Sequence, residues 1–215
     1  LQKIIKIWIM KHSNYKKKIW DSSVLSQRII SWILNVDIIL NNGSFDFRRS
    51  FFSSIISQAN HLKKNIKFEK NYSKRIEVLT ALMLTGLVFK EYSENYNIAV
   101  KELEKLVKKI FDHDGFPLTR NPSDLIFFSK YLIFCKECIK EAQEYIPEFL
   151  DNIIIQNLTC LKNISTPNNQ VPLFNGGSEE NLQQFNEFVK KLDFKTKNKK
   201  NIIGGIQRFK FKNIC

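Results

Sequence analysis

Apolar residues recur at intervals of three and four along most of this chain, and that spacing restricts the fold more than any other feature. Ile29, Trp32, Ile33, Val36 and Leu40 make one stripe, and Phe52, Ile55, Ile56 and Ala59 make the next. Between them Asn41, Asn42 and Gly43 break the pattern, and Ser44 stands where a cap for the following helix is needed. Leu79, Leu82, Met83, Gly86 and Leu87 form a third stripe, and Leu103, Leu106, Val107, Ile110 and Phe111 a fourth. Phe128, Tyr131, Leu132, Cys135 and Ile139 define a fifth, and Leu150, Ile153, Ile154, Leu158 and Leu161 a sixth. With 7 Gly and 5 Pro in 215 residues, turn-formers are too few for many hairpins, so the reading is an all-α array of long helices. Short connections predict that sequential neighbours pack antiparallel as helical hairpins. No repeat with the period of the standard helical-repeat families recurs.

The chain is 43% apolar and has 18 Phe, enough for a real core and too much for a disordered chain. Its longest strongly apolar run, Val78 to Phe89, is 12 residues. A membrane-spanning helix needs about 20, so a soluble chain is expected. The texture changes at Ser165, where STPNNQVPLFNGGSEEN makes a long polar loop of the kind that is usually functional or linking. A short helix is predicted over Glu180 to Leu192. KTKNKKN is a charge run, and IIGGIQRFKFKNI switches to strand periodicity. Residues 1–192 therefore read as a helical domain of about six or more helices. Residues 193–215 read as a linker and the start of a β domain cut off at Cys215. Together with a first residue that is not Met, this gives the expectation of a fragment.

Lys and Arg number 34 against 21 acidic residues, a net charge of +13. Such a field favours polyanions, either nucleic acid or acidic polysaccharide. The alternative is AT-biased coding, which spreads Lys over a whole surface. Four cysteines make no disulfide framework in a chain of this length, and Cys135 and Cys138 read as part of a helix core face rather than half a zinc site. Walker, GxGxxG, HExxH and GxSxG patterns are missing, so the chemistries they serve lack support.

The segment most informative about chemistry is FDHDGFPLTRNPSDL, residues 111–125. Asn121 is placed to cap a helix whose first residue is Pro122, and Arg120 stands beside that helix start. Free amides and a guanidinium together suit a carboxylate or sulfate; the alternative is an ordinary cap with Arg120 paired to an acid. Asp114-Gly115 reads as a turn, and Asp112 and His113 form either an acid–base pair or part of a solvated turn. Asn60-His61 lies on a helix among basic neighbours, where a structural role outweighs a catalytic one.

Six segments in order are similar to the heparinase II/III-like family, and in particular to a branch common in alphaproteobacteria. They are Trp20 with VLSQRIISW to Trp32, QANHLKKNI at Gln58 to Ile66, and KRIEVLTALMLTGL at Lys74 to Leu87. DGFPLTRNP at Asp114 to Pro122, LFNGG at Leu173 to Gly177 and GIQRF at Gly205 to Phe209 complete the set. The resemblance implies an incomplete α/α toroid followed by a β-sandwich, of which GIQRF would be the first strand. It also implies β-elimination on uronate-containing polysaccharides, in which a base removes the C5 proton, an acid protonates the leaving oxygen and a polar or cationic group neutralises the carboxylate. The family's Asn-His falls on Lys74-Arg75, and its Ser-Pro-x-Tyr-His falls on Asn121 to Leu125, so the catalytic Tyr is not matched.

Arg75, Arg120 and Asn121 are the expected catalytic-site residues, two cations and a helix cap able to hold a uronate carboxylate without supplying the base. Arg28, Trp32, Lys74, Asp124, Asn175, Gly176 and Gly177 are then the substrate-binding set. No cofactor is implied within these residues; a histidine and a divalent metal would belong to the β domain. Acidic polysaccharide is the implied partner, with no membrane span and with nucleic acid as the lesser alternative. The resemblance implies a bacterial protein, periplasmic or cytoplasmic, with the compartment left open by the sequence. Two functions stay open: a polysaccharide lyase-like protein that needs its β domain, and a non-catalytic helical module that binds a polyanion.

Overall fold

The computed structural model describes residues 1–166, 168–180, 182–192, 194, 196 and 202–207. The helices among them are α1 (Gln2–His12), α2 (Ser22–Leu34), α3 (Val36–Leu40), α4 (Phe45–Asn65) and α5 (Tyr72–Val88). After these come α6 (Ser93–Ile110), α7 (Pro122–Glu141), α8 (Glu148–Ile164) and α9 (Gln183–Lys191). Strands β1 (Ile202–Ile203) and β2 (Ile206–Gln207) form a single two-stranded sheet. The fold class is all-α, as the apolar spacing requires. No helix among the described residues is long and apolar enough to cross a membrane. The chain divides into two compact units, Leu1–Leu103 and Glu104–Cys215.

Unit 1 is built round α5. Every residue from Ile76 to Gly86 is buried, because a helix that is apolar on all sides has no face to give to water. The longest apolar run of the sequence thus becomes the central helix. Alpha helices α2 and α4 pack on it and on each other, and α1 packs on α4. Contacts between sequence neighbours are therefore joined by non-sequential ones such as α2 with α5. Side chains such as Leu79 and Leu82, both at 0% exposure, each contribute about 1.5–3 kcal/mol by leaving water. At Gly86 a Cβ would lie 2.2 Å from the backbone nitrogen of Tyr96, so only glycine lets α6 approach α5 this closely.

Polar side chains set where the helices of unit 1 begin. Asp21 accepts the backbone N–H of Ser23, Ser44 that of Phe47 and Asn71 that of Lys74. The stripe from Ile29 to Leu40 does not belong to one helix. Asn35 interrupts it, with φ −110° and its side-chain amide donating to the Ser31 carbonyl, a local bond that competes with the helix.

In unit 2, α7 and α8 pack together. Leu125, Leu132, Ile133 and Ile139 are fully buried on α7, as are Leu150 and Ile154 on α8. Cys135 is buried and Cys138 half-buried on α7, which matches their reading as core-face residues. Burial pushes the Cys138 thiol up to about 11, so it stays protonated and unreactive.

The polar loop after α8 is held by its own bonds. Thr166 accepts from Gln170, and Asn169 accepts from Leu182 through its carbonyl and from Asn186 through its side chain. The helix expected over Glu180 to Leu192 is shorter, Gln183–Lys191, and buries Phe185. Ile203 faces Ile206 across the β1–β2 hairpin, and its turn residues Gly204 and Gly205 have φ of 58° and 75°. A two-residue turn with both φ positive matches the right-handed strand twist and favours Gly-Gly. The expected continuation of this strand period through Ile214 lies outside the described residues, as does the charge run apart from Thr196.

Candidate functional site

Unit 2 carries a polar centre built on the turn that joins α6 to α7. Phe111 and Pro117 bridge as an antiparallel pair, and the turn between them closes round the carboxylate of Asp112. Its Oδ1 accepts the backbone N–H groups of Asp114 and Phe116, both at 2.9 Å. Its Oδ2 accepts from Arg120 Nη1. The Asp112 side chain is 9% exposed and that of Arg120 33%. The guanidinium is thus anchored on one side and open on another. His113 takes no part in this pairing: its ring is 88% exposed and lies 3.4 Å from the Asp114 carboxylate. Asp112 and His113 form no acid–base pair: His113 is solvated as expected, whereas the Asp112 carboxylate is largely buried within the turn and paired with Arg120.

The backbone round Arg120 is unusual. Its φ is 57°, a left-handed conformation that side chains other than glycine and asparagine rarely adopt. Three contacts hold it there. The Arg120 N–H donates to the Pro117 carbonyl, its own carbonyl accepts from Asn175 Nδ2 at 3.3 Å, and its guanidinium carbon lies 5.7 Å from the centre of the Phe116 ring. Asn121 follows as the cap of α7, accepting the Ser123 N–H at 2.8 Å, with Pro122 at the first helical position.

The Asn175–Gly177 segment is fixed to the same place. Ser178 donates its N–H to Ser123 Oγ at 2.9 Å, and the Gly177 N–H closes a turn on the Phe174 carbonyl. A Cβ at Gly177 would meet Pro122 at 3.3 Å and Asn121 at 3.5 Å. Asp124, in the first turn of α7, accepts from Thr119 Oγ1 at 2.7 Å. Arg120, Asn121, Asp124, Asn175, Gly176 and Gly177 are therefore brought together across some 55 residues of sequence. Asp124 favours the helix dipole and places a negative charge near any anion bound there. The β1–β2 turn closes this region, because the Gly204 N–H donates to Asp114 Oδ2 at 3.1 Å. A Cβ at Gly204 would lie 2.6 Å from Phe116, which adds a close approach to its positive φ.

In unit 1, Lys74 and Arg75 sit in the first turn of α5. Lys74 Nζ bonds Asp21 Oδ2 at 2.7 Å; that bond draws the Asp21 carboxyl below its ordinary pKa and raises that of Lys74. Arg75 Nη2 bonds Glu102 Oε2 at 2.8 Å, while its buried Nε has no partner among the described residues. Arg28 donates to Gln58 Oε1 and the Ile19 carbonyl and lies 4.0 Å above the Trp8 ring. Trp32 is 9% exposed, edge-on to Trp8 and tilted against Phe51.

One feature of unit 1 was not picked out by motif. A cavity of about 680 Å³ runs beside α4, lined by Trp20, His61 and Tyr92 among others. The signal in the sequence was polar spacing rather than apolar spacing: Ser53, Ser57, Asn60 and Lys64 fall on one helical face.

Residues 6–200 match the family described as heparinase II/III N-terminus. No curated protein matches the chain. Among solved structures, the chain is similar to heparan sulfate lyase HepC from Pedobacter heparinus, with a TM-score of 0.69 and 16% identity. The likeness covers 86% of this chain and 32% of that one, so the chain spans about a third of the lyase. At this identity the likeness is one of fold.

Proposed function

Because the chain belongs to the heparinase II/III N-terminal family, we propose that it is the helical part of a polysaccharide lyase-like protein acting on an acidic, uronate-containing glycan. The observation that carries this reading is the Arg120 turn, where a guanidinium is oriented by a buried carboxylate beside the capped start of α7. The similar solved structure is a lyase of heparan sulfate, an acidic polysaccharide, and the net charge of +13 suits the same class of ligand.

In β-elimination the C5 proton becomes acidic enough to leave when the neighbouring carboxylate is neutralised. Arg120 is suited to that task, because a guanidinium stays protonated and offers two parallel donors to a carboxylate. Arg75 is proposed for the same role and Asn121 for orienting the carboxylate. Asp124, Asn175, Gly176 and Gly177 line the sugar beside Arg120, and Arg28 and Lys74 are the glycan-facing pair proposed for unit 1; Trp32, expected with them, is instead a core side chain packed on Trp8 and Phe51. A guanidinium cannot serve as the base. The histidine and the divalent metal implied by the resemblance are proposed for a β domain, and the catalytic Tyr it implies has no match at Asn121 to Leu125.

A second reading is favoured by one observation: Arg75 and Arg120 each already pair with an acid. Such pairing suits a structural role for both arginines, and leaves a non-catalytic module that would hold a polyanion through its other basic groups. Assaying the intact protein on a panel of acidic glycans for the ultraviolet absorbance of unsaturated uronate separates the two. Product formation on any glycan supports the lyase; binding without product on every member selects the module.

A further inference from the structure

We propose that unit 1 carries a separate carbohydrate pocket that takes one anionic sugar ring against the outer face of α4. The class of ligand rests on the acidic-glycan reading above; the place rests on the geometry of unit 1 alone. The cavity of about 680 Å³ is within the range of small-ligand sites. Its floor is a polar stripe, Ser53, Ser57, Asn60 and Lys64, which steps by four, three and four residues along α4. The opposite face of α4 is the one that packs, through Phe47, Phe51, Ile55, Ala59 and Leu62.

A solvated polar helix face is ordinary. This one differs because aromatic side chains share its cavity: Phe52 of α4 itself, and Trp20, Phe89 and Tyr92 from outside α4. The side chains of Ser53, Ser57, Asn60 and Lys64 make no hydrogen bond or ion pair among the described residues, so their donors and acceptors are available to a ligand.

His61 is the fixed point of the pocket. Its ring stacks on Tyr15 at 5.4 Å and 27° and meets Trp20 edge-on at 5.2 Å. Burial, and then the charge of Lys64, hold its pKa below the ordinary value, so near neutral pH it is an uncharged imidazole with one donor and one acceptor. Such a lining matches a pyranose. The ring's C–H face packs on an aromatic side chain, its hydroxyls pair with serine, asparagine and imidazole, and a carboxylate or sulfate meets the Lys64 ammonium.

The test is a residue-resolved NMR titration of the full chain with three tetrasaccharides: tetragalacturonate, a sulfated carrageenan tetrasaccharide and neutral maltotetraose. Tetragalacturonate or the sulfated sugar is expected to shift the Ser53–Lys64 amides and the His61 ring, with maltotetraose at least fivefold weaker. Ser57→Leu, which fills the floor, and Lys64→Glu, which reverses the charge, should each weaken that binding at least fivefold with unchanged helical circular dichroism. Shifts confined to Arg120, Asn121 and Asn175–Gly177 would overturn the pocket and leave the proposed function standing. Equal response to maltotetraose, or wild-type affinity in both variants, also overturns it. If neither anionic sugar moves any residue, the acidic-glycan reading falls together with the pocket's ligand.

Discussion

In unit 1 Asn42 is the one described residue with a positive φ, whereas unit 2 has Arg120, Gln143, Asn169, Asn175, Gly115, Gly176, Gly204 and Gly205. Unit 1 takes its order from helices packed round α5, several of them started by a polar cap in the preceding connection. Unit 2 takes much of its order from turns, and those at Arg120, Asn175–Gly177 and Gly204 are fixed by side-chain bonds to another part of the unit. Left-handed backbone at non-glycine residues costs about 1–3 kcal/mol each and persists only where surrounding contacts impose it. The two units thus store specificity differently: unit 1 in buried volume, unit 2 in a few backbone conformations imposed by surrounding contacts.

The contrast breaks most visibly in the centre of unit 1. Leu82→Ala removes a side chain at 0% exposure from α5 and is expected to cost about 2–5 kcal/mol, read from urea unfolding. A loss well under 1 kcal/mol would mean that unit 1 is not organised round that helix.

In unit 2, Arg120→Ala is expected to weaken binding of a uronate oligosaccharide by roughly 1.5–3 kcal/mol, the scale of a hydrogen bond to a charged group. Asp112, at 9% side-chain exposure, is then left without its guanidinium, so Asp112→Asn is added in a double variant. Affinity that returns in the double variant assigns Arg120 to the scaffold; affinity that stays low assigns it to the ligand.

Gly204→Ala sharpens the same contrast, because it strains a left-handed turn and presses on Phe116. A stability loss of about 1–3 kcal/mol is expected, with hydrogen-exchange protection falling at Asp112–Arg120 and unchanged in α5. Protection lost equally in α5 would contradict the picture of a locally imposed turn.

The smallest effect concerns pH in unit 1. The native His61 pKa lies below its unfolded value, so the native state binds fewer protons between the two. The stabilisation is fully present above the unfolded value of about 6.5 and is lost as pH falls through the folded value. The urea midpoint should therefore drop further on acidification in the wild type than in His61→Gln. Parallel curves would assign the drop to other groups.

Much of unit 1 was legible because its information is local. Stripes at Leu79–Leu87 and Phe52–Ala59 mark their helices, and Ser44 marks the start of α4. Asn35 was missed because an asparagine within an unbroken apolar stripe gives no sign of which bond its amide will prefer. In unit 2 the Asn121 cap and the positive φ of Gly115 were readable from neighbouring residues. The partner of Arg120 was open among several acids, and its left-handed φ depends on Asn175, 55 residues away. No local pattern records a bond of that span. The pocket beside α4 escaped for a different reason: serine and lysine on a helix face look like solvated surface until the aromatic side chains that share their cavity are placed.

The hydrogen bond from Gly204 to Asp114 spans 90 residues, and that span sets an order of events during synthesis. A ribosome adds about 5–20 residues per second, so roughly 5–20 s separate emergence of the Arg120 turn from that of the glycines that close over it. Through that interval Asp114 lacks one of its native donors, and the ring of Phe116 lacks the cover of the hairpin. The turn is then a nascent-chain intermediate exposed to chaperones and proteases. Its protection arrives only when Gly204 has left the ribosome and can donate to Asp114.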